Sequence, residues 1–95
     1  MNFLSDLGFE EKDIKQIEIE TPELLLKEFR EASELVTDNI KFLKELGITN
    51  YKDVVINYAD MFLMDSSNFQ NVFLKYEKED LIDKIAKNIR VVEHL

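Results

Sequence analysis

The sequence predicts an all-α fold in which helices stack as a short repeat, an α-solenoid of about five to seven helices including short turns. Three observations carry that reading. Apolar residues recur at helical spacing over most of the chain. Two Gly and one Pro in 95 residues leave little turn chemistry for hairpins. A short pattern opening on Phe-Leu occurs three times. The length is that of one domain, read here as residues 1–95.

The central stripe is Leu25, Phe29, Ala32, Val36, Ile40, Leu43 and Leu46, stepping by three or four. Thr21-Pro22-Glu23 starts it. Thr21 has a hydroxyl for free N–H groups, Pro22 needs no N–H at a helix start, and Glu23 meets the positive end of the dipole. Gly47 suits the left-handed residue that closes a helix. Residues 22–46 read either as one long helix or as a short turn at 22–26 followed by a longer helix.

Asn50 or Thr49 is placed to cap the next helix. In it, Val54-Val55-Ile56 is the only strand-like run, read as a buried helical turn because no partner strand is visible. Ser67 and Gln70 fit a capping box for a helix from about Asn68. Ile82, Ile85, Ile89 and Val92 give the last helix its stripe. Asp80 with Lys84, and Asp83 with Lys87, are acid-first pairs four apart, each worth about 0.2–0.5 kcal/mol.

The repeat begins with Phe3-Leu4-Ser5-Asp6-Leu7-Gly8, Phe42-Leu43-Lys44-Glu45-Leu46-Gly47 and Phe73-Leu74-Lys75-Tyr76. Each copy then has an acid followed by an aliphatic residue: Asp13-Ile14, Asp53-Val54 and Asp80-Leu81. Each ends on a short apolar element: Pro22-Glu23-Leu24-Leu25, Ala59-Asp60-Met61-Phe62 and Ile89-Arg90-Val91-Val92. The units are residues 3–26, 42–64 and 73–95, with an insertion in the first at about 27–38. A pair of amphipathic helices cannot cover its own apolar face, and stacking the units would cover it. A plain bundle of Leu- and Phe-rich helices is the alternative.

Phe42-Leu43-Lys44-Glu45-Leu46-Gly47-Ile48, with Pro22-Glu23-Leu24-Leu25-Leu26 after a short helix, resembles the helical repeat of the mitochondrial transcription termination factor (mTERF) family. Glu79-Asp80-Leu81-Ile82 leading to Asn88-Ile89-Arg90-Val91-Val92 is similar, with Ile where the family favours Pro. The resemblance covers nearly the whole chain through degenerate motifs. It implies stacked helix triplets in a left-handed superhelix, and a basic concave surface that binds nucleic acid. The sequence departs from the family in being short and acidic, and it keeps the Pro only at Pro22.

Composition narrows the function. The formal charge is −8, which disfavours phosphate-coated partners and anionic membrane surfaces. Residues 1–47 hold most of that excess, whereas Lys75–Leu95 is balanced. Without Cys there is no disulfide, thiolate zinc site or thiol nucleophile. No apolar run is long enough for a transmembrane helix, and no signal peptide is visible, so the cytoplasm is the default location. There is no phosphate loop, nucleophile elbow or metalloprotease motif. Glu18 and Glu20 are two apart and point to different helix faces. His94 has no His or Cys companion at ligand spacing. The expectation is a non-enzyme with no cofactor and no metal.

Two candidate contact surfaces for a protein partner, another copy included, are visible. Glu28, Glu31, Glu34 and Asp38 form an acidic stripe on the central helix, suited to a basic partner; a solvated face opposite Phe29 and Val36 is the plainer explanation. Tyr58, Met61, Phe62 and Met64, with Phe69 nearby, form a soft cluster suited to an adaptable contact, or else core between the second and third units. For the nucleic-acid alternative the candidates are Lys75, Lys78, Lys84, Lys87 and Arg90. Interleaved acids make local ion pairs the simpler account of them.

Overall fold

The computed structural model describes residues 1–95 and is all helical, with no strand. Seven α-helices run α1 Asn2–Ser5, α2 Glu11–Glu20, α3 Glu23–Glu31, α4 Ser33–Leu46, α5 Tyr51–Asn57, α6 Ser66–Leu74 and α7 Lys78–Lys87. A first 3₁₀ helix, Ala59–Leu63, follows α5, and a second, Ile89–His94, follows α7. That is more pieces than expected, because the central stripe divides and both short apolar elements are ordered 3₁₀ turns.

Local chemistry explains the ends. After α1, the Leu7 and Phe9 amides donate to the Leu4 carbonyl, and Gly8 takes φ 96°. After α4, the Gly47 and Ile48 amides donate to the Leu43 carbonyl, and Gly47 takes φ 104°. In both, the glycine amide also reaches the carbonyl one residue on, Ser5 or Lys44. This is the two-bond closure of a Schellman motif, made once with Leu4/Gly8/Phe9 and again with Leu43/Gly47/Ile48. Phe9 and Ile48, which follow the glycines, are both buried.

A Cβ on Gly8 would stand 2.8 Å from the Tyr51 hydroxyl, and one on Gly47 would stand 3.1 Å from the mobile end of Ile82. Both substitutions meet the left-handed penalty of about 1–2 kcal/mol. Gly8→Ala must also displace the hydroxyl that donates to the Leu7 carbonyl at 2.8 Å. Gly8→Ala is therefore expected to destabilise more than Gly47→Ala, by about 1 kcal/mol, as read from urea unfolding midpoints.

The acid–aliphatic pairs fall at one register. Asp13-Ile14, Asp53-Val54 and Asp80-Leu81 are the third and fourth residues of α2, α5 and α7. Asp13 accepts from the Glu10 amide at 2.8 Å. The third residue of a helix is where an acid can reach back to the start. In α7 the cap is Glu77, whose carboxylate accepts from the Glu79 and Asp80 amides.

Three expected starts are corrected. Thr21 does not cap α3; its amide donates to Ile17 and closes α2, and the Pro22 carbonyl accepts the first bond of α3 from Leu26. Helix α6 begins at Ser66 rather than about Asn68. Its cap is Asp65, whose carboxylate takes the Asn68 amide at 3.2 Å in place of the Ser67 hydroxyl. Asn50 sits at the start of α5 without a side-chain cap bond: its Nδ2 donates to the Ile85 carbonyl of α7, and its Oδ1, the atom that would cap, has no partner.

The stripe 22–46 is two helices, broken at Ala32 (φ −98°, ψ 33°). Phe29, Val36, Ile40 and Leu43 are nonetheless all buried, so the apolar face survives the break. The bend lets α3 pack on the first 3₁₀ helix while α4 packs on that helix, α5 and α6. Helix α3 has nine residues where the elements after α5 and α7 are 3₁₀ turns of five and six. Helix α3 therefore runs on to Glu31, past residue 26, where the first unit was expected to end.

A single cluster of 19 buried apolar residues runs through the molecule. Val54 and Val55 are fully buried in α5, so the β-branched run is a helical turn in the core. Phe62 meets Phe69 at 5.1 Å, Phe69 meets Phe73 at 5.1 Å, and Phe42 lies 6.2 Å from both Phe69 and Phe73. This aromatic group joins α4, the first 3₁₀ helix and α6. Asn39 of α4, fully buried, donates to the carbonyls of Phe62 (3.1 Å) and Met64 (2.9 Å), tying α4 to the end of the 3₁₀ helix.

Candidate functional site

The packing of α2 on α5, and of α3 on the first 3₁₀ helix, brings two of the short apolar elements together. Between them lies an open cleft of about 260 Å³, lined by Glu20, Thr21, Pro22, Leu25, Ile56, Asn57, Ala59 and Asp60. Leu25, Ile56 and Ala59 give it some apolar lining, and its charged groups, Glu20 and Asp60, are both acidic. Glu20 accepts only from the neutral amide of Gln16 at 3.0 Å, and Asp60 has no cationic partner. The nearby cations are spent elsewhere: Arg30 pairs with Glu18 at 3.3 Å and Lys27 with Glu31 at 3.9 Å.

Beside the lining residues in sequence stand Ile19, 75 % exposed, and Leu24, 80 % exposed. They are the two most exposed large aliphatic side chains of the chain. Burying such a side chain is worth about 1.5–3 kcal/mol, so leaving two in water is a standing cost in the free chain.

The acidic stripe does not lie on one helix. Glu28 and Glu31 belong to α3, and Glu34 and Asp38 to α4, with the break at Ala32 between them. All four are exposed. Of the soft cluster, Tyr58, Met61 and Met64 are partly buried against the core. Phe62 is fully buried against Phe69, so the expectation that it contacts a partner is corrected: it is core.

The basic residues divide. Lys84 pairs with Asp80 at 3.0 Å, Lys87 with Asp83 at 2.9 Å and Arg90 with Glu93 at 3.6 Å. The Asp83 carboxylate holds the Lys87 ammonium above its usual pKa. Lys75 donates to the Leu95 carbonyl at 3.4 Å and lies over the Tyr76 ring. Lys78 is exposed. A second cavity, about 160 Å³, lies between Tyr76, Asp80, Leu81, Lys84, Val91, His94 and Leu95. Its only acid and its lysine already pair with each other. No three acid or His side chains gather in a way that would hold a metal.

The Tyr58 hydroxyl donates to the Glu93 carboxylate at 2.5 Å, linking the residue that starts the first 3₁₀ helix to the second. That hydrogen bond raises the Tyr58 pKa, with burial adding to it. The same bond lowers the Glu93 pKa, and Arg90 adds to that. Glu93, lowered on folding, contributes stability above the usual glutamate pKa and loses it as pH falls through the folded value. Tyr58, raised on folding, contributes below the usual phenol pKa and loses it as pH rises through the folded value. Tyr58→Phe is thus expected to narrow the difference in melting temperature between about pH 7 and about pH 3 relative to the unchanged chain, as followed by circular dichroism.

The cleft residues Glu20 and Asp60, and the exposed Ile19 and Leu24, were not among the sequence candidates. The sequence signal nearest to them is the likeness of Pro22–Leu25 to Ala59–Phe62, two segments whose helices pack on each other. No family model, characterised protein or solved structure matches this chain.

Proposed function

We propose that this chain is a small acidic module that binds another protein, built as a short stack of helical layers. The observation that carries the reading is the cleft: a lining of mixed polarity, two carboxylates without a cationic partner, and the exposed Ile19 and Leu24 adjacent in sequence to its lining residues Glu20 and Leu25. Exposed aliphatic side chains in company with polar groups are what the core and rim of an interface use. The cytoplasm is its proposed location; no helix is long and apolar enough to cross a membrane.

Support for the layered architecture comes from the element order, in which two α-helices and a 3₁₀ helix occur twice, over 33–63 and 66–94. The paired Schellman closures and the shared acid–aliphatic register support it too. These features also fit the proposed mTERF-type resemblance. Its nucleic-acid reading fares less well, since Lys84, Lys87 and Arg90 would have to leave carboxylates to meet phosphates.

The test is affinity capture from a lysate of the source cell, treated with nuclease, together with light scattering on the chain alone and mixed with duplex DNA or RNA at low salt. A protein retained in stoichiometric amount after nuclease is the expected result. Nothing retained, or a mass increase only with nucleic acid, overturns the proposal.

A further inference from the structure

We infer that the cleft between the α2–α3 corner and the α5–3₁₀ corner binds a basic segment of a partner protein, with an aliphatic anchor flanked by Lys or Arg. This rests on the protein-binding reading above and names the partner chemistry for that site.

Three features select the occupant. The first is charge. Glu20 and Asp60 line the cleft without a cationic partner, Glu23 stands next to Pro22, and no Lys or Arg lines it. A cation arriving here meets carboxylates already free to receive it. An anionic segment, a phosphate backbone or an anionic membrane surface meets like charge.

The second is the mixed lining. Pro22, Leu25, Ile56 and Ala59 line the same depression as the two acids, so apolar and anionic surface meet there. Lys and Arg carry long aliphatic stems that cover apolar surface while the charged head stays at the rim. A purely polar cation would leave that apolar surface wet, and a purely apolar segment would cover the carboxylates without pairing them. The third is size. A volume of about 260 Å³ accommodates one or two side chains rather than a folded domain's face, so the recognised unit is a short segment whose neighbouring apolar residues reach Ile19 and Leu24. A second copy of this chain is disfavoured as occupant, because two surfaces from a protein of charge −8 repel.

The probe is a fluorescent synthetic helix of Lys and Leu only, with the Leu on one face. Controls are the same helix with Glu for Lys, and a Lys–Gly peptide of equal charge. Fluorescence anisotropy on the full chain at low and at physiological salt reads binding, and amide chemical shifts locate it. The Lys–Leu helix is expected to bind at least about tenfold more tightly than either control. Ile19→Ser with Leu24→Ser, and separately Asp60→Lys, should each weaken it about tenfold, the scale of an interface anchor. Asp60→Lys should also flatten the salt dependence. All three positions are exposed, so the variants should keep the native circular dichroism spectrum.

Equal binding by all variants, or shifts centred on Glu28–Asp38 instead of the cleft, overturns the site. Absence of binding at low salt overturns the partner chemistry, while stoichiometric capture of a protein in the preceding experiment would leave the broader reading standing. A doubled mass in light scattering that Leu24→Ser abolishes also overturns it, because a second copy would then be the occupant.

Discussion

Phe62→Ala is expected to cost about 3–5 kcal/mol of folding stability. The ring is fully buried, tilted against Phe69 at 5.1 Å, and sits where α4, the first 3₁₀ helix and α6 converge. Removing it leaves a cavity beside Phe69, whose ring is itself held by Phe42 and Phe73 and cannot move in without disturbing them. A domain of this length has about 5–14 kcal/mol in total at ordinary stability per residue. One truncation thus removes a large share, and urea unfolding should show the midpoint falling steeply. Phe62→Leu, which retains most of the apolar volume, should cost well under half as much. Equal losses for the two variants would place the stabilisation in the backbone at this turn rather than in the ring.

Asn39→Asp is expected to be the most damaging single-atom exchange in the chain, about 3–5 kcal/mol near neutral pH. Asn39 Nδ2 serves two carbonyls at once, those of Phe62 and Met64, and its Oδ1 is buried without a protein partner. A carboxylate would set an acceptor against both carbonyls and bury a charge with no cation beside it. The introduced acid would hold its proton more tightly when folded than unfolded. Stability relative to the unchanged chain should therefore be least impaired in acid, and should worsen as pH rises through the ordinary aspartate range and above. Asn39→Leu loses both hydrogen bonds but introduces no charge. Its cost should be smaller, about 1–3 kcal/mol, and independent of pH. Chemical denaturation at several pH values separates the two.

Helical content was legible because it depends on spacing and turn residues that the sequence displays directly. The Gly47 closure, the burial of Val54 and Val55, and the pairs Asp80–Lys84 and Asp83–Lys87 all follow from neighbours within a few residues. What depended on distant partners was not legible. Nothing local marks Ala32 as a break, since Ala is the best helix former; the bend is set by where α3 and α4 find their packing partners. Asn50 is a good cap in isolation, but Ile85 of α7 takes its side chain. Asp65 outcompeted Ser67 because a carboxylate is the stronger acceptor at a positive helix end.

The site followed the same division. The sequence shows Glu28, Glu31, Glu34 and Asp38 as a run because they are close along the chain, and the break separates them between two helices. Glu20 and Asp60 are 40 positions apart in the sequence, and only the packing of α2 on α5 and of α3 on the 3₁₀ helix sets them around one depression. Phe62 was ambiguous between surface and core because aromatic spacing does not say which side of a turn faces inward.

The Leu7 carbonyl has a bearing on what holds the opening of the chain. It receives both the Tyr51 hydroxyl at 2.8 Å and the Lys44 ammonium at 3.1 Å. The helix before it has only four residues, far below the roughly 12–15 at which an isolated helix becomes marginal in water. Its clasp draws on donors 37 and 44 positions downstream, so the opening turn is held by distant parts of the chain rather than by its own helix. The shape of this segment is thereby tied to that of α4 and α5.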